Sequence, residues 1–205
     1  MTKQNKITTS RRGFIATVGV ATAGLTALTA GQSFGLLHGS NLFAPRTQRD
    51  SPQQVPVNRT AAAAAVADAA NDPAWRLQVT AGATTLALSR ADLGDLLQTS
   101  VTLPIACVEG WSVSAHWVGV RVRDLMALTG APPQTRVRFT SLEPQGVYRV
   151  TEMGPEFVTN ETTLVALRLN GETLSLDHGY PARLIAPNRP GVLQTKWLSS
   201  VEAIA

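Results

Sequence analysis

The sequence predicts an α+β fold built on a mixed β-sheet. Three observations lead there. Runs with β character outnumber helical runs, they do not alternate with helices in the regular manner of a parallel βαβ protein, and tight-turn residues join several neighbours directly. At 205 residues and 44% hydrophobic content, the chain suits one domain with an appendage. Its expected parts are a leader over 1–32, a linker rich in Gly, Ser, Gln and Pro over 33–54, and a folded domain over 55–205.

Taken in order, the alanine run Ala61 to Ala70 has helix propensity and stops at Asn71-Asp72-Pro73. Trp75 to Val79 and Thr84 to Leu88 alternate apolar with polar residues and are expected to pair as a hairpin across Ala81-Gly82. Ser89-Arg90-Ala91-Asp92 reads as an N-cap with an acidic partner three residues on, leading to Leu93, Leu96 and Leu97 on one helical face. A second helix is expected from Val122 to Thr129, with Leu125, Met126 and Leu128 apolar, stopped by Gly130 and Pro132-Pro133. Further strands are expected at Arg136 to Ser141, Val147 to Thr151, Thr163 to Leu169, Glu172 to Leu174, Arg183 to Ala186 and Leu198 to Ile204, with Asn170-Gly171 as a tight hairpin turn.

The net charge of +4 is misleading as a nucleic-acid signal. Lys3, Lys6, Arg11, Arg12, Arg46 and Arg49 all precede the first acidic residue, Asp50, and from there on 12 basic residues face all 14 acidic ones. The body is therefore slightly acidic, and no nucleic-acid partner is expected. The leader has a basic, polar start, then Ser10-Arg11-Arg12-Gly13-Phe14-Ile15-Ala16, then a diluted apolar run from Thr17 to Ala30. This resembles a twin-arginine export signal, which carries proteins already folded in the cytoplasm. It is either removed after export or kept as a membrane anchor, since the apolar run approaches the roughly 20 residues that span a bilayer. Both outcomes put the body outside the cytoplasm, with positive charge left inside.

A single cysteine, Cys107, lies in Ala106-Cys107-Val108-Glu109-Gly110-Trp111-Ser112, so no internal disulfide exists. The thiol is a metal ligand, a nucleophile or a buried side chain. A second polar and Gly/Pro-dense stretch runs from Asp177-His178-Gly179-Tyr180-Pro181 through Arg183 to Gly191-Val192-Leu193-Gln194-Thr195-Lys196-Trp197. Lys196 is the only lysine after Lys6.

At these two stretches the chain resembles the sulfite-oxidase-type molybdopterin domain, and within that group the short periplasmic sulfoxide reductases. The resemblance spans about Val55 to Ala205, with Asn58, Trp75, Cys107, Trp117, His178, Arg183 and Lys196 in matching order. It implies a molybdenum-molybdopterin cofactor whose metal takes one protein thiolate, Cys107, held deprotonated by that metal. It implies Arg183 as a planar grip on phosphate or another oxyanion, and Gln194, Thr195 and Lys196 as the phosphate-contacting loop. His178 matches a pterin-contacting position, Asn58 a residue near the metal and Ser141 a cofactor contact. Glu109 falls within reach of the centre, where it places a water or proton or else supports its neighbours. Trp111, Trp117 and Trp197 are expected to shield the site.

Three functions follow from that set. The first is an extracytoplasmic oxidoreductase that moves an oxygen atom or two electrons between the metal and a small sulfoxide- or sulfite-like substrate. Cys107, Glu109 and Arg183 would be its catalytic groups. The chain stops at Ala205, without the C-terminal immunoglobulin-like dimerisation domain of sulfite oxidases, which favours a monomeric sulfoxide-reductase-like plan over a sulfite-oxidising dehydrogenase. Electrons would pass to or from a separate partner, such as a membrane heme protein. The second is a binding module with the fold but no turnover. The third is a cofactor-free thiol enzyme using Cys107 with His116 or His178 as base.

Overall fold

The computed structural model describes residues 52–107 and 111–204. The leader, most of the linker and Glu109 lie outside the described residues. The domain is assembled from two five-stranded sheets rather than one. The first runs β2 (Thr84–Leu88), β1 (Leu77–Ala81), β10 (Leu198–Ile204), β5 (Arg136–Ser141), β6 (Val150–Met153). It is mixed because β1 and β10 are parallel while its other pairs are antiparallel. The second runs β3 (Gln98–Ala106), β4 (Ser112–Arg121), β7 (Leu164–Leu169), with β8 (Glu172–Thr173) and β9 (Arg183–Ile185) both pairing with β7.

Local chemistry explains several elements. Helix α2 (Arg90–Asp95) starts at Ser89, whose side chain accepts from the Asp92 amide while the Asp92 carboxylate accepts from the Ser89 amide. This reciprocal cap satisfies two amides that would otherwise lack partners. The helix ends sooner than its leucine spacing suggests. Leu96 is extended, so only Leu93 is deeply buried, and Leu97 is 73% exposed. Likewise α3 (Val122–Ala127) buries Val122, Leu125 and Met126 but leaves Leu128 46% exposed beyond its last turn. The alanine run does not form one helix. Ala65 has φ +54, and regular helix covers only α1 (Ala67–Asn71). Packing overrides propensity here: Ala61, Ala64 and Ala70 are buried with Val66 against Trp197, and the Ala61 amide donates to Asp177.

The main apolar cluster joins Leu77 and Val79 of β1, Val137 and Phe139 of β5 and Leu198 and Val201 of β10 to Leu93 of α2 and Leu125 of α3. A second lies against the other sheet, around Ile105, Trp117, Leu164, Leu169 and Ile185, with Val55 buried in it. Strands β5 and β10 match their expected bounds, while β6 begins three residues later than expected. Gly146 turns the chain with φ +144 and leaves Val147 and Tyr148 exposed before pairing begins at Val150. The longest hairpin among the described residues, β3 with β4, has no counterpart among the expected strands. It carries Cys107 where β3 ends.

Candidate functional site

Three stretches of chain meet at the end of the β3–β4 hairpin. Cys107 follows β3 directly, and its amide donates to the carbonyl of Trp111, the residue before β4, at 2.8 Å. The Cys107 Sγ accepts from the Asn58 side-chain amide at 2.7 Å. The Asn58 side-chain oxygen, Oδ1, in turn accepts from the Trp111 indole at 3.0 Å. This chain of donors orients the thiol and assigns Asn58 and Trp111 a shared task. The second long motif reaches the same place through Gly191. A Cβ there would lie 3.0 Å from the Ala106 carbonyl oxygen, a tight contact that would push the 191–193 turn a few tenths of an ångström away from the end of β3.

Arg183 enters from β9 and is 3% exposed. Its guanidinium donates to the His178 carbonyl at 3.0 Å and to the Gln194 carbonyl at 3.4 Å, and lies 5.1 Å from the centre of the Trp117 ring. Burial lowers its pKa to about 9. Lys196 donates to the carbonyls of Arg59 and Asp177 and stands 4.1 Å from the Trp197 ring centre. Burial, then the nearby Arg183 charge, brings it down to about 7. Neither cation forms an ion pair with a carboxylate among the described residues. Gly179, at φ +107, makes their approach possible. A Cβ there would fall 3.0 Å from Cβ of Arg183 and 3.1 Å from Cβ of Lys196.

The other expected residues have more local tasks. Ser141 donates to the Lys196 carbonyl at 2.9 Å, holding the lysine's backbone. The Thr195 hydroxyl meets that of Thr151 at 2.7 Å, and the Thr195 carbonyl accepts from Leu184. The Gln194 side-chain amide donates to the Arg189 carbonyl at 2.8 Å. His178, 2% exposed, engages the Pro52 carbonyl through Nε2 at 2.6 Å. Trp117 and Trp197 are wholly buried, whereas Trp111 is half-buried and acts through its N–H. Gln53, Thr151 and the Arg59–Glu143 ion pair at 2.8 Å have no signal in the sequence. They surround the site through long-range contacts that no local motif announces.

The His178 ring has a measurable consequence. Burial is the main cause that holds its pKa at about 4, against 6.5 in an open chain. Between these values the unfolded chain binds a proton that the native chain refuses. Stability from this group is therefore complete above pH 6.5 and lost as pH falls toward 4, about 3 kcal/mol in total. Urea unfolding of the cofactor-free protein from pH 7 to pH 4 is expected to show this loss, and His178→Leu to flatten it.

Comparison with known proteins agrees with the geometry. The oxidoreductase molybdopterin binding domain family matches residues 63–205, and the chain belongs to that family. Its relatives include a sulfite oxidase of Arabidopsis thaliana, 34% identical over 114 residues covering 47% of this chain and 29% of the relative. The mitochondrial sulfite oxidase of Homo sapiens is 29% identical over 159 residues, covering 62% of this chain and 28% of the relative. The chain thus spans under a third of either relative's length. Among solved structures, the sulfane dehydrogenase SoxCD from Paracoccus pantotrophus has the same fold, with a TM-score of 0.57 at 22% identity over 64% of this chain and 38% of that one. The domain is one that binds molybdenum-molybdopterin.

The residues present fit that group. Arg183 Nε, Gln194 Oε1 and Trp117 Nε1 are buried without hydrogen-bond partners among the described residues. Burying a guanidinium without a counter-ion costs several kcal/mol, more than the roughly 2 kcal/mol returned by one buried apolar side chain. Stability alone does not explain Arg183. A phosphate-bearing, hydrogen-bonding ligand does.

Proposed function

We propose that this chain is the monomeric catalytic domain of an extracytoplasmic molybdenum-molybdopterin oxidoreductase acting on a small sulfoxide- or sulfite-like substrate. The observation that carries the reading is the pairing of an oriented thiol, Cys107, with a basic cradle built by the buried Arg183 and the half-buried Lys196. Bound molybdopterin supplies the oxygen-atom and two-electron chemistry. Cys107 is the metal ligand, and the Asn58 amide orients its sulfur and stabilises negative charge on it. Lys196 with the Gln194-Thr195 backbone holds the phosphate, and Ser141 keeps Lys196 in place. Arg183 holds an anionic oxygen, His178 faces the pterin, and Glu109, two residues on from Cys107 in sequence, handles a proton or water.

The balance is simple in either direction. A sulfoxide takes up two electrons and two protons to give a sulfide and water; sulfite and water give sulfate, two electrons and two protons. Both need an external donor or acceptor, which we assign to a separate electron-transfer protein such as a membrane heme protein. The Ser10-Arg11-Arg12-Gly13-Phe14 leader supports export, with or without retention as an anchor. The thiol-enzyme alternative draws no support from either histidine: His178 Nε2 engages Pro52, and His116 Nε2 lies 2.6 Å from the Ser100 hydroxyl.

Protein from a host that makes molybdopterin is expected to carry about one molybdenum per chain, to show pterin fluorescence after denaturation, and to turn over a sulfoxide or sulfite with an artificial electron donor or acceptor. Well-folded protein that is loaded with molybdenum yet inactive on both substrate classes would defeat the catalytic reading and leave the binding module.

A further inference from the structure

The ten residues from Pro52 to Ala61 touch each part of the site. Pro52 meets His178, Asn58 meets Cys107, the Arg59 carbonyl meets Lys196 and the Ala61 amide meets Asp177. Gln53 ties this strap to the second sheet. Its side-chain amide donates to the carbonyls of Leu169 at 3.2 Å and Thr173 at 2.9 Å, and its side-chain oxygen accepts from the Ser175 amide at 2.9 Å. Its backbone carbonyl accepts from the Asn170 side chain at 2.8 Å. Both Gln53 and Gln54 have positive φ, +55 and +60, a conformation that side chains disfavour and that these bonds hold in place.

A carbonyl oxygen can only accept, so a bond between Pro52 and His178 Nε2 requires the proton on Nε2. In the neutral ring Nδ1 is then an acceptor. We propose that Gln53 is a positioning residue: by clamping the strap it makes the Pro52 carbonyl fix His178 as the Nε2–H tautomer, so that Nδ1 accepts from a donor on the pterin. This rests on the reading of His178 as the pterin-facing residue. A linker side chain thereby governs the hydrogen-bond polarity of a site more than 100 residues away in sequence.

Two readouts test it on the full chain. Long-range proton–nitrogen correlation spectra of the cofactor-free protein report the His178 tautomer, with the signal assigned by its loss in His178→Leu. Wild type is expected to show Nε2–H alone, and Gln53→Ala a mixture of tautomers. In the cofactor-loaded protein, Gln53→Ala is expected to release pterin roughly tenfold faster after dilution, the usual scale for a group that orients a ligand. Asn170→Asp removes the donor to the Gln53 carbonyl and sets a carboxylate oxygen against it, tolerates the positive φ at that position and keeps the acceptor for the His116 amide. It is expected to shift both readouts in the same direction by less, and it decides the matter should Gln53→Ala not fold. A tautomer unchanged in the folded variants overturns the inference, as does a changed tautomer with unchanged pterin release. Pterin release from His178→Leu at the wild-type rate would instead remove the pterin role of His178, while the cofactor-free spectra still report whether the clamp exists.

Discussion

Cys107→Ser is expected to lower kcat/KM by on the order of 100-fold or more while leaving the fold and its stability nearly unchanged. The asymmetry follows from where the sulfur sits. Cys107 is half-buried at the end of β3, and a serine hydroxyl can still accept from the Asn58 amide, so packing and local hydrogen bonding survive. What changes is the donor atom. A thiolate is soft and readily deprotonated by a metal, while an alkoxide is hard and forms reluctantly near neutral pH. Groups that merely orient a metal ligand are worth 10–100-fold, so replacing a ligand should cost at least the upper end of that range. The measurement is steady-state kinetics normalised to molybdenum content, beside a thermal unfolding curve. Wild-type activity at full molybdenum loading would remove Cys107 from the centre. A large drop in unfolding temperature would show a structural task instead.

Much of the fold was legible because its signals were local. The Ser89–Asp92 cap, the Asn170-Gly171 turn with φ +48 and +86, and the alternation along β5 each depend on residues within a few positions of one another. The β3–β4 hairpin was harder to see although it is the longest among the described residues. Pro104 sits inside β3, and proline normally argues against a strand. It is tolerated because β3 pairs only with β4 among the described residues, so a missing N–H on the edge costs no ladder bond. The alanine run misled for the opposite reason. Its propensity was plain, but contacts with Trp197 and Asp177, more than 100 residues away, determine its path.

The site divides along the same line. Cys107 and the Arg183-to-Lys196 stretch stood out as polar, Gly- and Pro-dense segments whose roles only the family resemblance implied, and the structure draws them together through Gly191 and Gly179. The strap was not readable. Pro52 to Gln54 has the composition of a linker, and nothing in its sequence shows that Gln53 would find three backbone partners on β7, β8 and the turn beyond. Ser141 was identified as a residue of the site, but its visible bond is to the Lys196 backbone, a relation that depends on β5 and β10 lying side by side.

Arg183→Met should separate holding the cofactor from holding the fold. For the cofactor-free protein two effects oppose each other. Removing a buried cation relieves desolvation worth several kcal/mol, while the carbonyls of His178 and Gln194 lose their donor at about 1–3 kcal/mol each. Methionine also keeps much of the contact with Trp117. The net change in stability without cofactor is therefore expected to stay within about 2 kcal/mol, given how nearly those terms offset. Nothing offsets the loss in the loaded protein. Truncating one side of a buried, charge-assisted contact costs about 2–5 kcal/mol of binding, so pterin affinity should fall roughly 100-fold or more at the middle of that range. Pterin retained through gel filtration, together with unfolding temperature with and without cofactor, reads both quantities in one preparation. Collapse of the cofactor-free protein with retention intact would make Arg183 a strut between β9 and the 191–196 loop. Loss of retention from an otherwise stable protein would make it the proposed anion grip.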